Sequence, residues 1–144
     1  MADYADATVK LVDGMQFVGA SGTGHALVMD AAGRVGGNDT GMRPMELLLV
    51  GLGGCTGMDV VSVLRKKRQD VTGVTVNVRG RWVQGESYPK YFEGIDVEYV
   101  VSGRGIKEDD VKRAVELSEN KYCSVMANLR GVSKITTRYR VENG

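Results

Sequence analysis

The sequence has few of the residues that build metal centres and disulfide frameworks. It contains one histidine and two cysteines, a supply that argues against a dedicated zinc site. The cysteines, Cys55 and Cys123, stand far apart in the chain, so no CxxC motif is present. The N-terminal residues also lack the basic-then-apolar order of a signal peptide, which predicts a cytoplasmic protein. Thiols stay reduced in that compartment, so the two cysteines are either inert core residues or redox-active groups.

A strong charge of one sign is lacking as well. The 19 lysine and arginine residues are interleaved with 18 aspartates and glutamates, for a net charge of +1. This balance gives no electrostatic reason to expect a nucleic-acid partner. The longest apolar stretch is interrupted by Glu46, Asp59 and glycines, which argues against a membrane partner. With 42% hydrophobic residues, residues 1–144 fit a single globular domain.

The residues from Arg43 to Arg68 form the most distinctive stretch and predict a long helix. Pro44 suits the first helical turn, and the basic residues 65–68 suit the negative end of the helix dipole. Apolar residues run around the whole cylinder and not along one stripe, which predicts a helix buried on every side. Its glycines cost on the order of 1 kcal/mol each relative to alanine, so we expect another backbone to approach closely there.

Alternating and helical patterns predict the remaining elements. Predicted strands cover residues 4–12, 15–19, 25–31, 71–84, 91–102 and 132–141, and further helices cover residues 106–119 and 120–130. The order βββ-α-ββ-α-β, with a short extra helix before the last strand, indicates an α+β domain with an antiparallel sheet. A single sheet covers only one side of a helix that is apolar all round. A second copy would cover the other side, so we expect an intimate, obligate homodimer.

The two cysteines form a candidate redox site. Cys55 lies in the glycine-rich part of the central helix, and Cys123 lies at the start of a short helix, where amide hydrogens stabilise a thiolate. If the fold brings them together, one thiol can attack an oxidant and the other can resolve the sulfenic acid as a disulfide. The alternative is a pair of buried structural cysteines. Asp59 shares a helix face with Cys55 and either acts on the thiol or pairs elsewhere, with Arg43 or a lysine.

Two segments, RPMELLLVGLGGCTGMDVV and ENKYCSVMANL, resemble the OsmC/Ohr family of osmotically inducible and organic-hydroperoxide-resistance proteins. The first segment is more similar to the OsmC-like branch than to the Ohr branch. The resemblance implies an intertwined homodimer with a long central helix, two interface sites, and cysteines that reduce hydroperoxides. It implies that Cys55 attacks the peroxide and that Cys123 resolves the product.

The resemblance also implies a reductant and an activating pair. No bound cofactor is expected, and an external dithiol, of lipoyl type, would restore the thiols during oxidative or osmotic stress. In well-characterised Ohr members a Glu directly follows the Pro of the central helix and pairs with an Arg from the N-terminal strands. Here Met45 follows Pro44, and Glu46 stands one position further. Glu46 and Arg43 are therefore the candidate counterparts, with Arg34 a weaker choice for the Arg.

This shift of the Glu leaves a second function open. The glycines of the central helix leave room for a guest molecule. The alternative is therefore a non-catalytic protein that binds a small hydrophobic ligand at the dimer interface, with Cys55 and Cys123 as core residues.

Overall fold

The computed structural model describes residues 3 to 144. The strands are β1 (Ala7–Asp13), β2 (Gln16–Ser21), β3 (Ala26–Met29), β4 (Asp70–Trp82), β5 (Phe92–Arg104) and β6 (Lys134–Asn143), and the α-helices are α1 (Pro44–Lys66), α2 (Glu108–Leu117) and α3 (Ser124–Leu129). Gly33–Val35 forms a 3₁₀ turn, and Ser118–Tyr122 forms a π-helical turn, here called the π-turn. The predicted α+β class is confirmed. The chain divides into two compact units, the first ending at Leu48 and the second beginning at Leu49, so α1 belongs to both.

The N-terminal unit is built on an antiparallel sheet in the order β1-β2-β3. The turn between β1 and β2 places Gly14 in the left-handed region, with a φ of 55°, which side chains other than glycine rarely adopt. Leu11 lies opposite Phe17 in the register that follows, and Val18 lies opposite Val28. The predicted N-terminal hairpin and third strand are therefore confirmed.

Asp30 organises the loop that leads from β3 to α1. Its side chain is almost fully buried and accepts hydrogen bonds from the amides of Ala31, Asn38 and Thr40 and from the Thr40 hydroxyl. These donors, the Thr40 hydroxyl foremost, lower the pKa of Asp30 from 3.8 to about 2. One carboxylate therefore fixes the conformation of the loop.

The C-terminal unit holds a second sheet, and its topology differs from the single antiparallel sheet that the pattern predicted. β4 and β5 form a long antiparallel pair, whereas β6 pairs with β5 in parallel. The reason is the connection: α2, the π-turn and α3 carry the chain back toward the starting end of β5 before β6 begins. The sequence pattern identified the strands but not this crossover.

The core of the C-terminal unit draws on β5, α1 and α2. The most buried residues of β5 are Ile95, Val97, Tyr99 and Val101, each at most 1% exposed. The buried residues of α1 form one stripe, made of Leu52, Thr56, Val60, Val63 and Leu64. The apolar face of α2 adds Val111, Ala114 and Val115. Thr56 is thus a polar residue in the centre of an apolar stripe.

A single chain buries only one side of α1, and burial of the other side by a second copy stays a prediction. Val50 and Met58 on α1 are 51% and 75% exposed. The glycines also differ from the prediction. A Cβ atom added at Gly53 or Gly57 would lie 3.1 or 3.2 Å from a valine side chain of β4, so side chains and not a backbone approach the helix. One apolar face of α1 consequently stays open.

Among residues 3–144, α1 alone has the length and apolar composition of a membrane-spanning helix. The core helix of a soluble protein has the same properties. Composition of this kind therefore does not indicate a membrane protein.

The two helices predicted at residues 106–119 and 120–130 meet in a way that the periodicity did not show. α2 ends at Leu117, the π-turn follows, and α3 begins only at Ser124. The Cys123 amide donates to the Ser118 carbonyl at 2.9 Å and closes the wide i to i+5 turn. Cys123 therefore precedes α3 as its N-cap.

We expect Asp30→Asn to destabilise the protein and to make its stability depend less on pH in the acid range. The pKa of Asp30 in the folded state lies below the ordinary value, so its stabilising effect is present above about pH 4 and is lost as the pH falls toward 2. As the pH falls through this range, the melting temperature should fall more steeply for the wild type than for Asp30→Asn. Asp13→Asn, which changes an exposed carboxylate of the same unit, should keep the wild-type slope. Equal slopes for the wild type and Asp30→Asn would contradict this account.

Candidate functional site: two thiols and a carboxylate

The C-terminal unit brings both cysteines together beside a carboxylate. The Sγ atoms of Cys55 and Cys123 and a carboxylate oxygen of Asp59 all lie within 4.8 Å of one another. Both cysteines are free thiols. We call this group the thiol–carboxylate cluster. It joins residues that are widely separated in sequence, and it confirms that the two cysteines are neighbours.

Helix periodicity places two members of the cluster. Cys55 and Asp59 are four residues apart on α1, so their side chains lie one turn apart on the same face. Both side chains are half-buried, while Thr56 beside them is fully buried. The cluster therefore stands at the edge of the buried stripe, where solvent can still reach it.

The π-turn places the third member. Because Cys123 ends this wide turn, its backbone adopts an extended conformation and its side chain caps α3. The Cys123 sulfur accepts a hydrogen bond from the Met126 amide at 3.4 Å. Arg130 links the π-turn to α3, since its guanidinium donates to the carbonyls of Glu119 and Met126. The position of the Cys123 sulfur is thus fixed by backbone geometry.

The two thiols have different surroundings. Cys123 is 4% exposed, and burial, together with the adjacent Cys55 thiol, raises the pKa of Cys123 to about 11. Cys55 is half-buried and so remains open to solvent. A reagent from solution therefore meets Cys55 first, while Cys123 stays protonated behind it at neutral pH.

A chain of three buried hydroxyl groups ends on the Asp59 carboxylate. The Tyr99 hydroxyl lies 2.6 Å from the Thr56 hydroxyl, which lies 2.6 Å from the Ser118 hydroxyl. Ser118 in turn donates to Asp59 at 2.8 Å. Tyr99, Thr56 and Ser118 are all fully buried. The chain therefore links β5, α1 and the π-turn through polar contacts inside the core.

The Asp59 carboxylate gives this chain a direction. The Ser118 hydroxyl has a single proton, and it donates this proton to the Asp59 carboxylate. The Thr56 hydroxyl must then donate to Ser118, and the Tyr99 hydroxyl must donate to Thr56. Burial raises the pKa of Tyr99 to about 12, which keeps its phenol protonated as this arrangement requires.

Arg43 and Glu46, the other predicted site residues, lie in the N-terminal unit. The Arg43 guanidinium pairs with Asp39 at 2.8 Å and donates to the Gly41 carbonyl. The Glu46 side chain accepts from the Arg43 amide at 2.8 Å, which is the reciprocal half of a capping box at the start of α1. These contacts give both residues a structural role, and their part in activating a thiol stays a prediction.

A sequence profile of the family described as OsmC-like protein matches residues 36–138, a range that includes the whole thiol–carboxylate cluster. This chain belongs to the OsmC-like family. The predicted membership is therefore confirmed.

Individual relatives agree with this assignment. Protein YhfA of Escherichia coli K12 is 41% identical over 135 residues, covering 94% of this chain and 96% of YhfA. The crystal structure of a hypothetical protein from Aquifex aeolicus VF5 is 29% identical, covers 99% of both chains and superposes with a TM-score of 0.85. The organic hydroperoxide resistance protein OhrB of Bacillus subtilis is 17% identical, with coverage of 95% of this chain and 98% of OhrB and a TM-score of 0.64. The last likeness concerns the fold alone.

Sequence reasoning found the thiols and Asp59 but missed the hydroxyl chain. Two signals for it were present. Ser118 falls on the apolar face predicted for the helix at residues 106–119, and Tyr99 falls on the apolar face of a strand. A polar atom at a buried position needs a partner, so these two residues indicated a buried hydrogen bond even though its Thr56 bridge could not be deduced.

We expect Thr56→Val to destabilise the folded protein by about 1–3 kcal/mol, because it removes the bridging hydroxyl and leaves the Tyr99 and Ser118 hydroxyls without that partner. The measurement is the free energy of unfolding in urea. Thr75→Val, the same change at an exposed position of β4, is the matched control and should shift stability by no more than about 0.5 kcal/mol. Equal effects at the two positions would show that the hydroxyl chain does not stabilise the fold.

Proposed function

We propose that the protein is a thiol-dependent peroxidase that reduces organic hydroperoxides or hydrogen peroxide. The observation that carries this proposal is the pair of free thiols, one open to solvent and one buried behind it. Family membership supports it, because several structural neighbours are organic hydroperoxide resistance proteins. YhfA, at 41% identity, carries no activity in its name. The assignment therefore depends on the site itself.

The proposed reaction proceeds in two steps at the sulfur atoms. The Cys55 thiolate attacks the terminal oxygen of the hydroperoxide, the O–O bond breaks, and an alcohol leaves after taking up a proton. Cys55 is then a sulfenic acid, oxidised by two electrons. The Cys123 thiol attacks that sulfur, forming the disulfide and releasing water. Proximity of the two sulfurs makes this second step intramolecular.

An external dithiol completes the cycle. It reduces the disulfide by thiol–disulfide exchange, restores both thiols, and leaves as its own disulfide. We propose a small dithiol of the lipoyl type for this role, in a cytoplasmic protein of oxidative or osmotic stress defence. The exposed side of Cys55 is where such a reductant would approach.

Turnover of cumene hydroperoxide with a dithiol tests the proposal. Cys55→Ser should lower turnover by at least about hundredfold, because the attacking sulfur is gone. Cys123→Ser should still consume one equivalent of peroxide but stop at the sulfenic acid, which dimedone traps and mass spectrometry detects.

The control for these variants is Ser87→Ala, which changes an exposed loop hydroxyl and should keep wild-type turnover. Wild-type protein that loses no free thiols on exposure to peroxide would refute the peroxidase function. Equal turnover in Cys55→Ser and wild type would refute the role of Cys55.

We also propose that the active form is a homodimer in which a second copy covers the open face of α1. Between α1 and β4 lies an apolar groove of about 1010 Å³. Its lining includes Gly53, Gly57 and Met58 from α1 and Val74, Val76 and Val78 from β4. An apolar face of this kind, left open to solvent, is typical of a surface that pairs with a partner.

Sedimentation equilibrium at micromolar concentration should give a dimer for the wild type. Met58→Glu should weaken the dimer by at least about tenfold, because it places a charge on a largely exposed apolar side chain of this face. Val132→Glu, at an exposed valine outside the groove, is the control and should leave the dimer unchanged. A monomeric wild type would contradict the proposal.

The second candidate function is non-catalytic binding of a small hydrophobic ligand. The same groove favours this function, because the glycines of α1 have no side chains to fill it. A panel of lipids tests this function by thermal stabilisation. Stabilisation that persists in a double Cys→Ser variant, together with no peroxide turnover in the wild type, would favour this function over the peroxidase.

A further inference from the structure

We propose that the thiol–carboxylate cluster is also a binding site for a thiophilic divalent cation, with Zn²⁺ as the best-matched ion. The ligands are the sulfurs of Cys55 and Cys123 and a carboxylate oxygen of Asp59. The count of histidines and cysteines argued against a dedicated zinc site. The fold adds a carboxylate that this count did not include.

The spacing of the donor atoms suits a small cation. Zinc binds thiolate sulfur at about 2.3 Å and carboxylate oxygen at about 2.0–2.2 Å, so a tetrahedral site separates its donors by roughly 3.5–3.8 Å. The three donors here all lie within 4.8 Å of one another. Side-chain rotations that move each donor by less than about 1 Å would bring them to ligand distance.

The charges at the cluster also favour the binding of a cation. Two thiols that ionise on binding converge with one carboxylate, and Cys55 and Asp59 are half-buried while Cys123 is buried. Across residues 3–144, Asp59 forms no salt bridge with a lysine, arginine or histidine. A divalent ion would neutralise these donors, of which Asp59 has no salt-bridge partner among the described residues. Binding releases the two thiol protons to solvent as two sulfur–metal bonds form.

The surroundings of the donors resemble a supporting shell. Ser118 donates to one Asp59 oxygen at 2.8 Å, and Thr56 stands behind Ser118, so the carboxylate is held in one orientation. Outer hydrogen bonds of this kind orient metal-binding carboxylates. The Met126 amide likewise fixes the Cys123 sulfur. Two of the three donors are thus positioned before any ion arrives.

Three protein ligands leave the fourth position of a tetrahedral ion open. Because Cys55 and Asp59 are half-buried, this position lies on the side that solvent reaches. The fourth ligand is therefore water or a small thiol, as in zinc sites that exchange ligands. A bound ion coordinates both sulfurs, so it should protect them from oxidation by peroxide.

The test uses the full-length, fully reduced protein under anaerobic conditions. Co²⁺ should produce thiolate-to-cobalt charge-transfer absorption, and Zn²⁺ should displace it at a stoichiometry of one ion per chain. Cys55→Ser, Cys123→Ser and Asp59→Asn should each weaken Zn²⁺ binding by at least about tenfold in competition with a chromophoric chelator. Asp59→Asn keeps the shape of the side chain, and circular dichroism checks that this variant is folded.

Asp109→Asn is the matched control, because it neutralises an exposed carboxylate in the first turn of α2. It should bind Zn²⁺ as the wild type does. Absence of the charge-transfer absorption would overturn the proposal, and so would wild-type affinity in folded Asp59→Asn, which would remove the carboxylate from the ligand set.

Metal binding and peroxide chemistry are separable in this design. Thiol loss with peroxide is measured on chelator-treated protein, and metal binding is measured without peroxide. Peroxide reactivity without Zn²⁺ binding would overturn the metal site alone. Zn²⁺ binding without peroxide reactivity would support the metal site and refute the peroxidase function.

Discussion

The hydrogen-bond chain from Tyr99 to Asp59 is the contact on which the candidate site depends. It joins a buried strand, the long helix and the π-turn, which are the three elements that meet at the two sulfurs. Buried hydroxyls are costly unless every one has a partner, and here each link provides the partner of the next. The polar chain therefore holds Asp59 in place while the apolar core around it stabilises the fold.

The proposed reactivity of the site depends on a contrast between two sides of one helix. The side of α1 that carries Thr56 is sealed in the core, while Val50 and Met58 stand open to solvent. Cys55 lies between these extremes and Cys123 lies deeper. Under the two proposals, such a gradient would let an oxidant or a cation reach the Cys55 sulfur, while burial favours the protonated form of Cys123. A uniformly buried pair would lack this access.

Sequence alone predicted the α+β class, the strands, the long helix and the family, because these depend on local periodicity and on short motifs. It did not predict the parallel placement of β6, since strand direction depends on where the crossover returns the chain. The sequence also predicted cover on every side of α1, and one chain supplies only part of it, because Val50 and Met58 are exposed. The Ser118–Asp59 contact could not be predicted either, because it joins distant parts of the chain.

The π-turn has a consequence for how the chain can change over evolution. Its i to i+5 closure means that one residue more than in an α-helical turn separates Ser118 from Cys123. Deletion of any one of these residues would restore regular helix and swing the following side chain by about 100° around the axis. The sulfur would then leave Asp59 while Ser118 kept its hydrogen bond. Spacing in this segment is thus constrained by length as well as by residue type.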